Sequence, residues 1–150
     1  MHRIAGVLGT LVLVTGVALA QPAGSPTYVQ GENPLQGDFD FAVGRPINVF
    51  VDVQGLTLDT ILVTALDELK AGAPVHCEVQ FLGTNSGQKK ATLAPVLLLE
   101  DSSGKGVGRI TCNIFKAKPG RPYDERQKVQ ISGDALASAS KVYVLVQIEF

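Results

Sequence analysis

The last ten residues of the chain, KVYVLVQIEF (141–150), alternate without interruption: Val142, Val144, Val146, Ile148 and Phe150 fall on one side of an extended strand, Tyr143, Leu145, Gln147 and Glu149 on the other. A period of two held over that length describes a strand with one face in a core, and it assigns Phe150 to that core. The pattern recurs, bounded by turn residues, in PINVFVDV (46–53), VHCEVQFLG (75–83), ATLAPVLLLE (91–100), GVGRITCNIF (106–115) and RQKVQIS (126–132). TNSG (84–87), DSSGKG (101–106) and KPGRP (118–122) supply the Asn, Asp, Gly and Pro that tight turns need. Pro95, within an apolar run, predicts an edge strand or a bulge there.

One segment carries two signals. In LTLDTILVTALDELKAG (56–72), Leu58, Ile61, Leu62, Ala65, Leu66 and Leu69 fit a helical stripe, while Thr57, Thr60, Ile61, Val63 and Thr64 are β-branched and stiff. The segment is expected to be a strand to about Thr64, then a short helical turn through ALDELK (65–70). Counting it, the chain is all-β, an antiparallel sandwich of about seven strands.

The beginning of the chain sets its compartment. MHRIAGVLGTLVLVTGVALA has Arg3 near the start, an uncharged apolar run and a small-residue end, Ala18-Leu19-Ala20, the layout of a secretory signal peptide cleaved before Gln21. Residues 1–20 are thus expected to be removed, leaving a secreted or periplasmic protein with no membrane-spanning helix. The Pro- and Gly-rich residues 21–45 read as an irregular leading arm, with an edge strand near Phe39–Val43, able to pair with a neighbouring chain; residues 46–150 read as the domain. The mature part holds 12 basic and 14 acidic residues, a formal charge of −2, which gives no electrostatic case for nucleic acid.

Cys77 and Cys112 both share strand faces with apolar residues, so both point inward, and export places them where disulfides persist. A Cys77–Cys112 bridge is expected, closing a 35-residue separation worth about 3–4 kcal/mol. The other reading is two separate buried thiols.

Side chains suited to catalysis are few. His76 is the only histidine past the leader and lies on the strand face opposite Cys77; one His, with Met only at position 1, is short of a blue-copper or zinc ligand set. Asp38 with Asp40, Asp67 with Glu68, and Glu100 with Asp101 lack the spacing of a calcium loop. No cofactor, metal site or catalytic residue is assigned, and the chain is read as not an enzyme.

From Val75 onward, CEVQFLGTNSG, VLLLEDSSGKGVG, KPGRP, KVQISG and KVYVLVQIEF follow in an order that resembles the extracytoplasmic immunoglobulin-like modules related to FxLyD and CARDB domains. The resemblance implies an immunoglobulin-like sandwich in a secreted or surface protein, serving binding, spacing or adhesion. The expected function is therefore a non-enzymatic interaction or structural module whose partner is a protein or cell-surface component. Candidate binding loops contain Asn85, Lys89, Lys90, Lys105, Arg121 and Tyr123.

Two alternative classes stand beside it. NPLQG (33–37), GKGVG (104–108) and GRPY (120–123) resemble the three loops of chagasin-like cysteine-protease inhibitors, with Leu35 and Gln36 in place of the expected threonines; a small secreted enzyme or inhibitor is thus one alternative. An outer-membrane β-barrel is the other, but the strands are few and short, and six Phe, three Tyr and no Trp do not furnish two aromatic girdles.

Overall fold

The computed structural model describes residues 24–150; the expected signal peptide, residues 1–20, lies outside the described residues. In chain order the elements are β1 (Val29–Gln30), β2 (Leu35–Asp40), β3 (Ile47–Val53), β4 (Leu56–Ala65), β5 (Pro74–Asn85), β6 (Ala91–Glu100), β7 (Gly106–Thr111), β8 (Phe115–Ala117), β9 (Arg121–Ser132), α1 (Gly133–Ser138) and β10 (Lys141–Glu149). They form two sheets, ordered β1-β3-β4-β5-β9 and β2-β10-β6-β7, with β8 also on β6. Every pairing is antiparallel except β1 with β3. Each sheet keeps two free edges, so the fold is an all-β sandwich and not a closed barrel.

Alternation builds the core. Val75, Cys77, Val79 and Phe81 of β5 face Leu93, Leu97 and Leu99 of β6 and Val142, Val144, Val146 and Ile148 of β10, all buried. Each such side chain contributes roughly 1.5–3 kcal/mol on leaving water. The chain crosses between sheets from β5 to β6 and from β9 to β10, while β5 pairs with β9 and β6 with β10. These interlocked crossings are those of strands B, C, E and F in an immunoglobulin-type sandwich. The flanking strands are arranged differently: β3, β4 and β5 form a meander, and β2 covers the outer side of β10.

Several expectations are corrected. There are ten strands among the described residues, not about seven: the leading segment adds the short β1 and also β2, an edge strand that overlaps the one expected near Phe39–Val43 but starts at Leu35. β2 pairs on one side with β10 of its own chain, from Leu35↔Val146 to Asp40↔Lys141, and its other side is a free edge of the sheet. Residues 65–70 form no helix: the Leu66 N–H donates to the His76 carbonyl at 2.8 Å, and Asp67 turns back to accept from the His76 N–H at 3.0 Å and to meet its Nδ1 at 2.6 Å. Their apolar side chains have nothing to pack on, Leu66 and Leu69 being 49% and 45% exposed. The helix forms instead at Gly133–Ser138, where the Ser132 hydroxyl caps the Ala135 N–H and Asp134 accepts from the Gly72 N–H.

Pro95 lies not at an edge but on β6, between β10 and β7. A residue's N–H and C=O point to the same side of an antiparallel strand, and the Pro95 carbonyl accepts from the Cys112 N–H at 3.2 Å. The donor that proline lacks therefore faces the break between β7 and β8, where no ladder needs it. Buried Gln127 of β9 closes that break: its Oε1 accepts the Asn113 N–H at 2.6 Å and its Nε2 donates to the Asn113 carbonyl at 2.8 Å. The expected strand 106–115 is thereby split in two.

The expected disulfide is absent. Cys77 and Cys112 are free thiols, 0% and 7% exposed. Cys77 sits on central β5 between Ala65 and Val129, whereas Cys112 follows edge strand β7 in the other sheet. Facing inward was necessary for a bridge and not sufficient: the two residues must also lie opposite each other with Cα atoms within about 7 Å, which depends on which strands of the two sheets overlap. Burial raises the pKa of both thiols, Cys112 to about 12. Neither should react with a thiol reagent in the native protein, and both should react once it is denatured; an intact mass two hydrogen atoms short of the free-thiol value would contradict this.

Candidate functional site

The end of the sandwich where β5 passes into β6 carries a concentrated charge. Lys89 and Lys90 lie in the β5–β6 turn, Lys116 on β8, Lys118 just beyond it, and Arg121 opens β9; all five are exposed. Register brings them together, since Asn85 pairs with Arg121, Ala91 with Ala117 and Thr92 with Lys116. None of the five joins an ion pair with a described residue. Asp124 and Glu125 of β9 border a groove of about 300 Å³ together with Lys116, Lys118 and Arg121, but their hydrogen bonds go to other groups: Asp124 accepts from Arg126 Nε at 3.1 Å and Gln80 Nε2 at 2.8 Å, and Glu125 from Gln127 Nε2 at 3.2 Å.

Asn85 holds this end together. Its side chain is wholly buried; Nδ2 donates to the carbonyls of Lys89 at 2.8 Å and Ala117 at 3.0 Å, and Oδ1 accepts the Gly87 N–H at 3.0 Å. One amide thus ties the lysine turn to the end of β8, and the Ser86 N–H fastens the turn to the Gly55 carbonyl at 2.8 Å. Phe150, assigned to the core from its alternation, is 40% exposed just past β10 and borders a groove of about 280 Å³ with Gln54, Gly87 and Lys89.

Of the residues expected in binding loops, Lys89, Lys90 and Arg121 therefore share one surface, though Arg121 is on a strand. Asn85 is buried and organises the turn without being available to a ligand. Lys105 belongs to the opposite end, beyond Glu100 of β6, about 30 Å away at strand rise, in a turn gathered on Asp101 Oδ1 by the N–H groups of Ser103 at 2.9 Å and Lys105 at 3.1 Å. Tyr123 is on β9 and half-buried; its hydroxyl donates to the Thr57 carbonyl at 2.7 Å and its ring lies 5.8 Å from that of Phe115. Burial, with the charge of Asp59 added, pushes the pKa of that hydroxyl well up. The inhibitor-like stretches do not gather either: GKGVG lies at the Lys105 end, and NPLQG is pinned by Asn33, whose Oδ1 accepts the Ile148 N–H at 3.0 Å, and enters β2.

A second locus gave no sequence motif. Between the pairs Asn48↔Thr60 and Val51↔Leu58, β3 carries two residues and β4 one, Asp59; β5 has none opposite it, Leu58 pairing with Gly83 and Thr60 with Leu82. Asp59 is therefore an extra residue, and Phe50 across from it takes a φ of +45°. Gly83 is required beside it: a Cβ there would lie 2.1 Å from the Thr57 oxygen and 2.4 Å from the Tyr123 hydroxyl. The one available signal was a lone carboxylate inside an apolar β-branched run.

His76, Asp38 and Asp40 do not converge: the aspartates lie on β2 in one sheet and His76 on β5 in the other. Among the described residues no three His, Cys, Asp or Glu side chains are grouped to hold a metal ion. No protein-family model matches the chain, and none of the curated proteins compared with it matches either.

Proposed function

We propose that this chain is an exported, non-enzymatic interaction module of the immunoglobulin-like kind, and that its partner is a protein or cell-surface component presenting clustered carboxylates. The carrying observation is the basic end, where five exposed cations without ion-pair partners are drawn onto one surface by buried Asn85. Five cations against the two bordering carboxylates of Asp124 and Glu125 leave the surface net positive on a chain of nearly neutral overall charge, which raises the local concentration of an acidic partner and steers its approach. Exposed Phe150 beside Lys89 adds an apolar contact of the sort that anchors a polypeptide. The sequence of residues 1–20 supports export, and the FxLyD- and CARDB-like order of turns supports an extracytoplasmic binding or spacing role.

The test uses mature chain 21–150 and poly-glutamate as the probe. Lys89→Gln, Lys90→Gln, Lys116→Gln and Lys118→Gln together should weaken binding about tenfold or more at low salt and flatten its salt dependence, with the fold unchanged because all four side chains are solvated. Equal affinity of the variant and the parent would overturn the assignment.

A further inference from the structure

Strand β6 is apolar on both of its faces. Leu93, Leu97 and Leu99 point into the core, while Ala94, Val96 and Leu98, which alternate with them, point out of the sandwich and are half-buried. Pairing sets Leu145 of β10 beside Val96 and Tyr143 beside Leu98, so the outer face of this sheet has a continuous apolar centre. The other sheet shows a solvated face in the same molecule: the outward pairs of β5 with β9 include Glu78↔Lys128 and Gln80↔Arg126. A strand apolar on both sides belongs where both sides are covered. No described element covers this one, because the sandwich has two layers and α1 lies against Gly108 and Leu99 on the inner side.

The rim of that centre is charged, and register orders the charges. One row across the sheet reads Asp38 (β2), Tyr143 (β10), Leu98 (β6), Arg109 (β7). The row on one side of it reads Gln36, Leu145, Val96, Thr111, and on the other side Lys141 lies beside Glu100. If a second copy is turned over about an axis parallel to the strands and between β10 and β6, every row meets itself reversed. Asp38 then faces Arg109 of the second copy, Tyr143 faces Leu98, Leu145 faces Val96 and Lys141 faces Glu100. None of these four charged residues joins an ion pair with a described residue, so each is free to do so across the axis. The Tyr143 hydroxyl already donates to Gln36 Oε1 at 2.6 Å, so the ring can be covered without orphaning it.

We propose that this chain forms a two-fold dimer through the outer faces of its β2-β10-β6-β7 sheets. Strands about 4.8 Å apart and as long as the nine residues of β10 present roughly 600 Å² per copy, about 1,200 Å² in all, the small end of specific interfaces. The dimer is therefore of micromolar affinity. Because its axis follows the strands, both basic ends point the same way, and its formation does not depend on what they bind.

The mature chain, residues 21–150, is followed by sedimentation equilibrium from micromolar to millimolar concentration, where it should pass from monomer to dimer. Leu98→Lys should raise the dissociation constant about tenfold or more with the circular dichroism spectrum unchanged, because this side chain has no part in the core. Asp38→Arg and Arg109→Glu, each alone, should weaken association by about the same factor, and an equimolar mixture of the two should regain the parent's affinity, since opposite charges then face each other at both rims. Pairing within one copy cannot mimic that rescue, for Asp38 and Arg109 are three strand spacings apart, about 14 Å. A monomer at every concentration, a dimer indifferent to Leu98→Lys, or a mixture no tighter than its components would overturn the proposal, as would binding of the monomer to phosphatidylcholine vesicles through Leu98. Should Leu98→Lys fail to fold, the mixing of the two rim variants, whose side chains are exposed, decides alone.

Discussion

Gly83→Ala is expected to lower the stability of the domain by about 3 kcal/mol, a fall in Tm of roughly 10 °C. The new Cβ would lie 2.1 Å from the Thr57 carbonyl oxygen and 2.4 Å from the Tyr123 hydroxyl, and the first of these is backbone, fixed by pairing on both sides of β4. Accommodation would part β4 from β5 at the bulge and break the Tyr123–Thr57 hydrogen bond, so the penalty combines overpacking with an unpaired carbonyl. Tyr123→Phe removes that hydrogen bond alone and should cost about 1 kcal/mol. In urea denaturation the two changes should couple, the alanine costing less when the hydroxyl is already gone. A Gly83→Ala protein as stable as its parent would mean that β4, β5 and β9 do not meet as described.

Asn85→Ala should produce a loss of similar size for a different reason. Two carbonyls, of Lys89 and Ala117, and the Gly87 N–H lose their partner together at a buried position, which costs about 3 kcal/mol in all. Asn85→Asp is no remedy, because a carboxylate keeps the contact with Gly87 and sets negative charge against the two carbonyls. With the clamp gone the lysine turn is released from β8, so affinity for poly-glutamate should fall about fivefold although no charge has been removed. Chemical denaturation and binding measured on the same variant separate these two effects. Normal stability with normal binding would leave Asn85 without the organising role assigned to it.

Much of the fold was legible because its signal is local. Period-two alternation in β5, β6 and β10, with Asn, Asp and Gly at the turns, is the direct imprint of a sheet with one face buried. What escaped detection was set by contacts distant in sequence. The helical stripe at Leu58, Ile61 and Leu62 is the trace of the Asp59 bulge: one extra residue moves the buried series from Leu56 and Leu58 to Ile61 and Val63, and a spacing of three imitates a helix. The edge strand expected near Phe39–Val43 begins and ends earlier, as β2 (Leu35–Asp40), because its bounds are set by pairing along β10, while Gly37 breaks the alternation that would have shown its first half. Arg121 and Tyr123 were assigned to a loop because Gly120 and Pro122 signal a turn, yet pairing with β5 through Asn85↔Arg121 and Gly83↔Tyr123 extends β9 past the proline. The inward aim of both cysteines was readable and their separation was not, since it depends on which strands of opposite sheets overlap.

The candidate site was legible in the same partial way. Lys89, Lys90 and Arg121 could be named from their turns, but that β8 would bring Lys116 and Lys118 alongside them depends on the break in the ladder at Pro95 and on Gln127, which stitches it. Asn85 was visible as a turn former, while its burial and its two long-range acceptors were not.

The central claim is that Asn85 assembles one basic surface and that this surface meets the partner. Amide chemical-shift mapping of the mature protein, titrated with poly-glutamate, tests it most directly. Shifts should concentrate at residues 86–90, 116–121 and Phe150. Shifts centred on the turn of Lys105, or spread evenly over every exposed lysine, would contradict it.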